Sequence, residues 1–247
     1  MGVHMTAIVD ASAEIGQDVE IGPFVTIGPN VTVGDGCIID QGAVVTGRTR
    51  MGAKNRIFPY AAIGTAPQDL KYHGEKTELV IGDENVFREF TTVNTGTVTG
   101  SGITRIGSQC FIMACAHVAH DCTLEDRVIL ANSVLLGGHV YVERDAKLMG
   151  NASVNPFVTI GRLAYVGGLT RIVQDVPPFT IYEGHPAKVR NINIIGCERA
   201  GIGPETIEAL KEGYRRIFRA KELNRTKVLE EVINDPEEAE EVIEMAK

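Results

Sequence analysis

Met113-Ala-Cys-Ala-His-Val-Ala-His-Asp-Cys122 sets two histidines three residues apart, the second beside an aspartate, in a region with few other reactive groups. An imidazole next to a carboxylate can work as a general base. The carboxylate fixes one ring nitrogen as N–H, and the other nitrogen takes a proton from an attacking hydroxyl or amine. His120 is therefore the candidate base and Asp121 its orienting partner. His117 on its own reads more simply as a corner residue bonded to a carbonyl, and it is retained only as a candidate for lining a substrate site.

The elements that must hold these residues are written in a period of six. Counting from Val9 reaches Ile15, Ile21, Ile27, Val33, Ile39, Val45, Met51, Ile57 and Ile63 with no polar residue at any step. Counting from Ile106 reaches Ile172 in the same way, and Ile81, Phe87 and Val93 form a shorter run between the two. Small or β-branched residues such as Val19, Val25 and Val128 lie two positions before the apolar ones, and glycine often follows, as at Gly16, Gly34 and Gly107. This predicts short strands joined by tight corners, with glycine there to relieve the backbone. Hexads of this kind predict an all-β solenoid, a left-handed parallel β-helix with three hexads to each eighteen-residue coil. In a β-sandwich the spacing would drift with loop length. One coil step places Gly138 over His120 and His139 over Asp121, about 4.8 Å away. The Gly138 amide is thus a candidate donor to a developing oxyanion.

The repeat is interrupted twice. Residues 65–78 put Asp69 and Glu75 where apolar residues belong, so this stretch is expected to leave the stack as a loop, with Gln68, Asp69 and Lys71 as candidate binding groups. Residues 94–105 are rich in Gly and Thr and read as a flexible flap, without the pattern of a phosphate loop. The β-helix is expected over 1–178, a connector over 179–202 and a helical region over 203–247. Pro204 opens a helix with Ile207, Leu210, Tyr214, Ile217 and Phe218 on one face, and Leu223, Val228, Leu229, Val232 and Ile233 suggest a second. Arg199 lies between connector and helices, where a basic group could meet a phosphate.

Over 247 residues the net charge is -8, with acids dense near the end, which argues against a nucleic-acid partner. Five cysteines form no CxxC pair and no export segment is evident, so a cytoplasmic location is expected. No stretch approaches the roughly 20 apolar residues of an integral membrane segment. A zinc site of the kind seen in β-helical carbonic anhydrases would need a histidine pair five apart, whereas His117 and His120 are three apart, and no metal is expected.

The repeat, the Gln68-Asp-Leu-Lys-Tyr-His-Gly-Glu loop, His117-Val-Ala-His-Asp-Cys122, Gly137-Gly-His139, Gln174-Asp-Val-Pro-Pro178 and the helical tail together resemble the acyl-carrier-protein-dependent UDP-N-acetylglucosamine O-acyltransferases that begin lipid A synthesis. The resemblance implies a homotrimer with sites between subunits. It implies an acyl carrier protein bearing phosphopantetheine as donor, a UDP-sugar as acceptor, and no further cofactor. It makes His120 the base on the sugar 3-position, with Asp121 in support and Gly138 as oxyanion donor. Gln68, Asp69, Lys71 and His139 would line the substrate site, Asn193 and Arg199 would reach the nucleotide, and Gly168 would leave room for a long acyl chain. One departure stands out: Asn155-Pro156 replaces the family's usual His-Gln or His-Arg before Phe157. N-acylation of a 3-amino sugar therefore stays open, as does the related fold that acetylates sugar amines from acetyl-CoA, with which Gly184-His-Pro-Ala-Lys188 shares a likeness.

Overall fold

In the computed structural model the chain is described over residues 2–219 and 225–247. Most strands are two residues long and end on the inward residue, as in Thr26–Ile27, Ile38–Ile39, His117–Val118 and Leu135–Leu136. Beyond the first coil, where Val9 and Ile15 are half-buried, the inward side chains are buried on their equivalents in neighbouring coils, giving a column that includes Ile27, Ile57, Leu124, Leu130 and Leu136. Burial of one such side chain is worth about 1.5–3 kcal/mol, so stability accumulates coil by coil.

Every third strand pairs in parallel, and among the described residues this gives sheets of 11, 9 and 8 strands, the three faces of a left-handed parallel β-helix. Ile38 pairs with Arg56 and Phe111 with Ile129, eighteen positions on. Two coils are longer. Arg56 pairs with Val86, thirty positions on, and Val86 with Phe111, twenty-five on. The surplus leaves the stack between strands Ala62–Thr65 and Glu78–Ile81, and between Thr92–Asn94 and Ile103–Ile106; Glu78–Ile81 pairs in register with Ile103–Ile106, while the pairing of Ala62–Thr65 with Thr92–Asn94 shifts register between Ile63 and Thr65.

The corners correct the expectation about glycine. The residue three past most inward positions adopts positive φ, and it is usually not glycine: Asn30, Tyr60, Asp121, His139 and Phe157 have φ of 60, 61, 58, 64 and 66°. The glycines directly after inward positions serve close approach instead. A Cβ on Gly34 would stand 2.5 Å from the carbonyl carbon of Gly52 in the next coil, so a side chain there would force the coils apart.

The stack closes with an antiparallel hairpin, Thr180–Gly184 and Ala187–Ile192, followed by helices α1 (Ile194–Arg199), α2 (Pro204–Tyr214), α3 (Arg225–Ile233) and α4 (Glu240–Ala246). Ile207, Leu210, Tyr214 and Ile217 pack with Val228, Val232, Val242 and Met245 on Leu163 and Phe179 of the last coils. Leu223 lies outside the described residues. The acidic end is drawn into this packing: Glu244 of α4 accepts from Nε and Nη2 of the Arg162 guanidinium, and Glu238 meets Arg216.

Candidate active site

His120 and Asp121 occupy the corner after strand His117–Val118, and the positive φ of Asp121 turns the chain there. His120 Nδ1 lies 2.9 Å from Asp121 Oδ2. Since an ionised carboxylate only accepts, Nδ1 carries a proton, and in the neutral ring the lone pair is therefore on Nε2. Asp121 is almost fully enclosed, its side chain 1 % exposed. Burial pushes its carboxyl up. Hydrogen bonds from Thr97 and His120 and the charge of His139 more than offset this, and the carboxyl rests below its usual range.

These bonds revise the view of residues 94–105 as a flexible flap. Thr97 N lies 3.1 Å from each Asp121 oxygen and Thr97 Oγ1 2.6 Å from Oδ2, while Ser101 Oγ and Gly102 N lie 3.2 and 3.1 Å from Oδ1. Gly100 is held just as closely, because a Cβ there would meet the carboxylate at 2.5 Å. The segment is a clamp on Asp121. The ligand atoms of His120, Asp121 and His139 lie within 4.8 Å of one another, a grouping that could hold a cation. The lone pairs of Asp121 are already taken by N–H and O–H donors, so the donor set does not suit a metal.

Around the base is a cleft of about 620 Å³. The loop contributes Gln68, Asp69, Leu70 and Lys71, the clamp contributes Thr99, and the coils above the base contribute Gly138, His139, Pro156 and Phe157. Asp69 Oδ1 accepts from Lys71 N at 3.0 Å, which curls the loop so that both side chains stay at the cleft. Lys71 forms no ion pair among the described residues, leaving its ammonium for an anion. Gly138 stands over the imidazole so closely that a Cβ would meet His120 Cε1 at 2.5 Å and Nε2 at 2.7 Å. Its N–H donates to no backbone acceptor among the described residues and is available beside Nε2. His139 sits edge-on to His120 with ring centroids 5.2 Å apart and stacks on Phe157 at 4.3 Å. Cys122, next in sequence, is no nucleophile: burial pushes its thiol up to about 12.

Other candidates fall elsewhere. His117 is on a flat rather than a corner, half-buried, with Nδ1 2.7 Å from the Thr92 hydroxyl rather than on a carbonyl. Its pKa is lowered by burial and then by the charge of His120. Asn155 is half-buried beside the cleft but is not part of its wall, and its N–H donates to Ile172 O. Gly168 is exposed at the corner before strand Arg171–Ile172, the opposite edge of the sheet that carries His120. Asn193 caps α1: Oδ1 accepts from Gly196 N at 3.1 Å and Nδ2 donates to Leu163 O at 2.8 Å, so both ends of the amide are committed within the fold. Arg199 is exposed in the last turn of α1. Thr97, Thr99, Ser101, Leu70 and Phe157 are the contributors that sequence reasoning missed.

Comparison with known proteins identifies the family and the fold. The description "Bacterial transferase hexapeptide (six repeats)" matches residues 12–47 and 103–138, and "Udp N-acetylglucosamine O-acyltransferase; Domain 2" matches 175–247. The acyl-[acyl-carrier-protein]–UDP-N-acetylglucosamine O-acyltransferase of Anaeromyxobacter sp. is 53 % identical over 220 residues, 89 % of this chain and 86 % of the relative. The protein of the same name from Synechocystis sp. is 52 % identical over 177 residues, 72 % of this chain but only 64 % of the relative's length. Among solved structures, a UDP-N-acetylglucosamine acyltransferase from Bacteroides fragilis superposes with a TM-score of 0.94 at 35 % identity, covering 99 % of this chain and 95 % of that one. The one from Campylobacter jejuni gives 0.93 at 33 % identity, covering 99 % and 94 %. With half its residues shared over most of its length and the same solenoid from end to end, the chain belongs to the UDP-N-acetylglucosamine O-acyltransferase family.

Proposed function

We propose that this chain transfers a 3-hydroxyacyl group from acyl carrier protein to the 3-hydroxyl of UDP-N-acetylglucosamine, the first step of lipid A synthesis. The observation that carries the reading is the His120 imidazole, with Nδ1 committed to Asp121 and the opposite nitrogen free beneath the Gly138 amide. In this mechanism Nε2 takes the proton of the sugar hydroxyl as its oxygen attacks the thioester carbonyl. The tetrahedral oxyanion accepts from Gly138 N–H. Collapse breaks the C–S bond, and the proton on His120 passes to the departing phosphopantetheine thiolate. Gln68 and Asp69 position the sugar, Lys71 meets a phosphate, and Arg199 serves the nucleotide end.

A homotrimer completes the site in this reading. Gly168 lies at the far edge of the sheet whose near edge bears His120, and Leu135 and Leu169 stand 48 % and 81 % exposed on that sheet and its edge. A threefold arrangement sets one subunit's Gly168 edge against another's cleft, where it bounds the acyl chain. We place the enzyme in the cytoplasm: its five cysteines are all free thiols, as a reducing compartment favours, and no helix among the described residues is long and apolar enough to cross a membrane.

The test is mass spectrometry of protein incubated with 3-hydroxyacyl carrier proteins of several lengths, or with acetyl-CoA, and with UDP-N-acetylglucosamine or its 3-amino analogue. An O-acylated UDP-N-acetylglucosamine is expected. Product only from the amino sugar, or only from acetyl-CoA, would replace the reading. Gly138→Ala is expected to lower kcat about a hundredfold, because the added methyl pushes the imidazole off its line to the substrate. The melting temperature should change little, since what it strikes is a side chain at the rim of the cleft. Unchanged kcat in Gly138→Ala would remove the close-approach argument.

A further inference from the structure

The clamp on Asp121 reaches the cleft through a chain of hydroxyls whose direction can be worked out. Thr97 Oγ1 stands 2.6 Å from Asp121 Oδ2 and 3.2 Å from Thr99 Oγ1. A hydroxyl has one proton, and the ionised carboxylate can only accept, so the Thr97 proton goes to Asp121. Thr99 must then donate to Thr97. The oxygen lone pairs of Thr99, a residue of the cleft wall, are left for a donor on the substrate. The hydroxyl bonds run one way, Thr99 O–H to Thr97 and Thr97 O–H to Asp121, and bonds aligned head to tail polarise one another. His120 Nδ1–H reaches the same Asp121 oxygen from its own side.

We propose that Thr97 is a positioning residue for the transfer: it holds Asp121 as the anion that keeps the proton of His120 on Nδ1, and it links that dyad to substrate seated against Thr99. This rests on the assignment of His120 as base. An enclosed carboxylate short of donors favours protonation, and a protonated Asp121 can give its own O–H to Nδ1. Nε2 would then carry the ring proton and face the hydroxyl it should deprotonate. Thr97 supplies both a backbone and a side-chain donor to the carboxylate, and only the second can be removed by substitution.

Thr97→Val keeps the shape and removes the hydroxyl. Expected is a fall in kcat of about tenfold or more with KM for both substrates within about twofold. The acid limb of the kcat profile should move up by about half a pH unit or more, because the dyad then holds its proton more tightly. Thr97→Ser should restore both. An NMR titration of the His120 imidazole, which needs no turnover, should show the same upward movement in Thr97→Val. Wild-type kcat and an unmoved titration would overturn the proposal. If Thr97→Val does not fold, Thr97→Ala, which removes the same hydroxyl without the branched side chain, must move the titration in the same direction, and no movement there overturns it equally. If the wild-type protein transfers nothing, the functional reading fails, while the imidazole titration still decides the role of Thr97.

Discussion

Replacing His120 by alanine is expected to cut acyl transfer by about three orders of magnitude or more while leaving the β-helix folded. A positioned base contributes about 10²- to 10⁴-fold, and among the described residues no other imidazole lining the cleft is hydrogen-bonded to a buried carboxylate. His139 is the neighbour that could substitute. Its Nε2 lies 3.9 Å from Asp121 Oδ2, beyond a hydrogen bond, and its ring is held face to face with Phe157. The imidazole of His120 lies at a corner, outside the aliphatic column, so the melting temperature should stay near that of the wild type. Steady-state kinetics with saturating acyl carrier protein checks the rate, and turnover at the wild-type level would end the assignment of His120 as base.

Asp121→Asn should be nearly as damaging to the rate, about 10³- to 10⁴-fold, and unlike the His120 variant it should also destabilise the fold. The carboxamide turns one acceptor oxygen into an NH₂ group. Thr97 N lies 3.1 Å from both carboxylate oxygens, so whichever way the amide turns, donor faces donor. A buried donor left without an acceptor costs about 1–3 kcal/mol. The pH dependence follows from the direction of the shift. Asp121 has its pKa lowered in the folded state, so its stabilising contribution is fully present above the unfolded value of about 3.9 and fades as pH falls through the folded value. Asparagine lacks that contribution at every pH. The stability gap between the two proteins, measured by urea unfolding, should therefore be widest near neutrality and should narrow below about pH 4. A gap constant with pH would mean that the ionised form of Asp121 is not what the clamp holds.

The repeat was readable because its signal is one buried aliphatic residue every six positions, and a polar residue there would cost more than a solenoid coil can bear. The reason for the glycines was not readable. Gly34 and Gly138 look in sequence like turn residues, and only the stacked coils show that they make room for a carbonyl and for an imidazole. The stacking of Gly138 on His120 could be counted from the sequence, because eighteen residues separate them with no insertion between. Thr97 could not be found that way. It lies in an insertion, where the coil count has no phase and nothing in a Gly- and Thr-rich stretch says which hydroxyl turns toward Asp121. Asn193 is a different case. Its place before Ile194–Arg199 is that of a helix cap, but six residues are too few to show an apolar period, so α1 and the capping role stayed hidden. α4 lies inside the helical region expected over 203–247 but was not singled out, because Glu240, Glu241 and Glu244 give its stretch little apolar pattern and only the fold brings Arg162 to Glu244.

The eighteen-residue pairing acts on the chain as a reading frame does on a message. A deletion of six residues within the stack would turn everything after it by a third of a revolution and carry His120 to a different face from the loop that supplies Lys71. A deletion of eighteen would restore the rotation but draw the site about 4.8 Å along the axis. Only a change that bulges out at a corner leaves both angle and height as they were. The pairings of Arg56 with Val86 and Val86 with Phe111 show two such tolerated changes, and between them they supply the binding loop and the clamp on Asp121. New chemistry enters this scaffold by insertion at its corners, while the flats stay closed to changes of length.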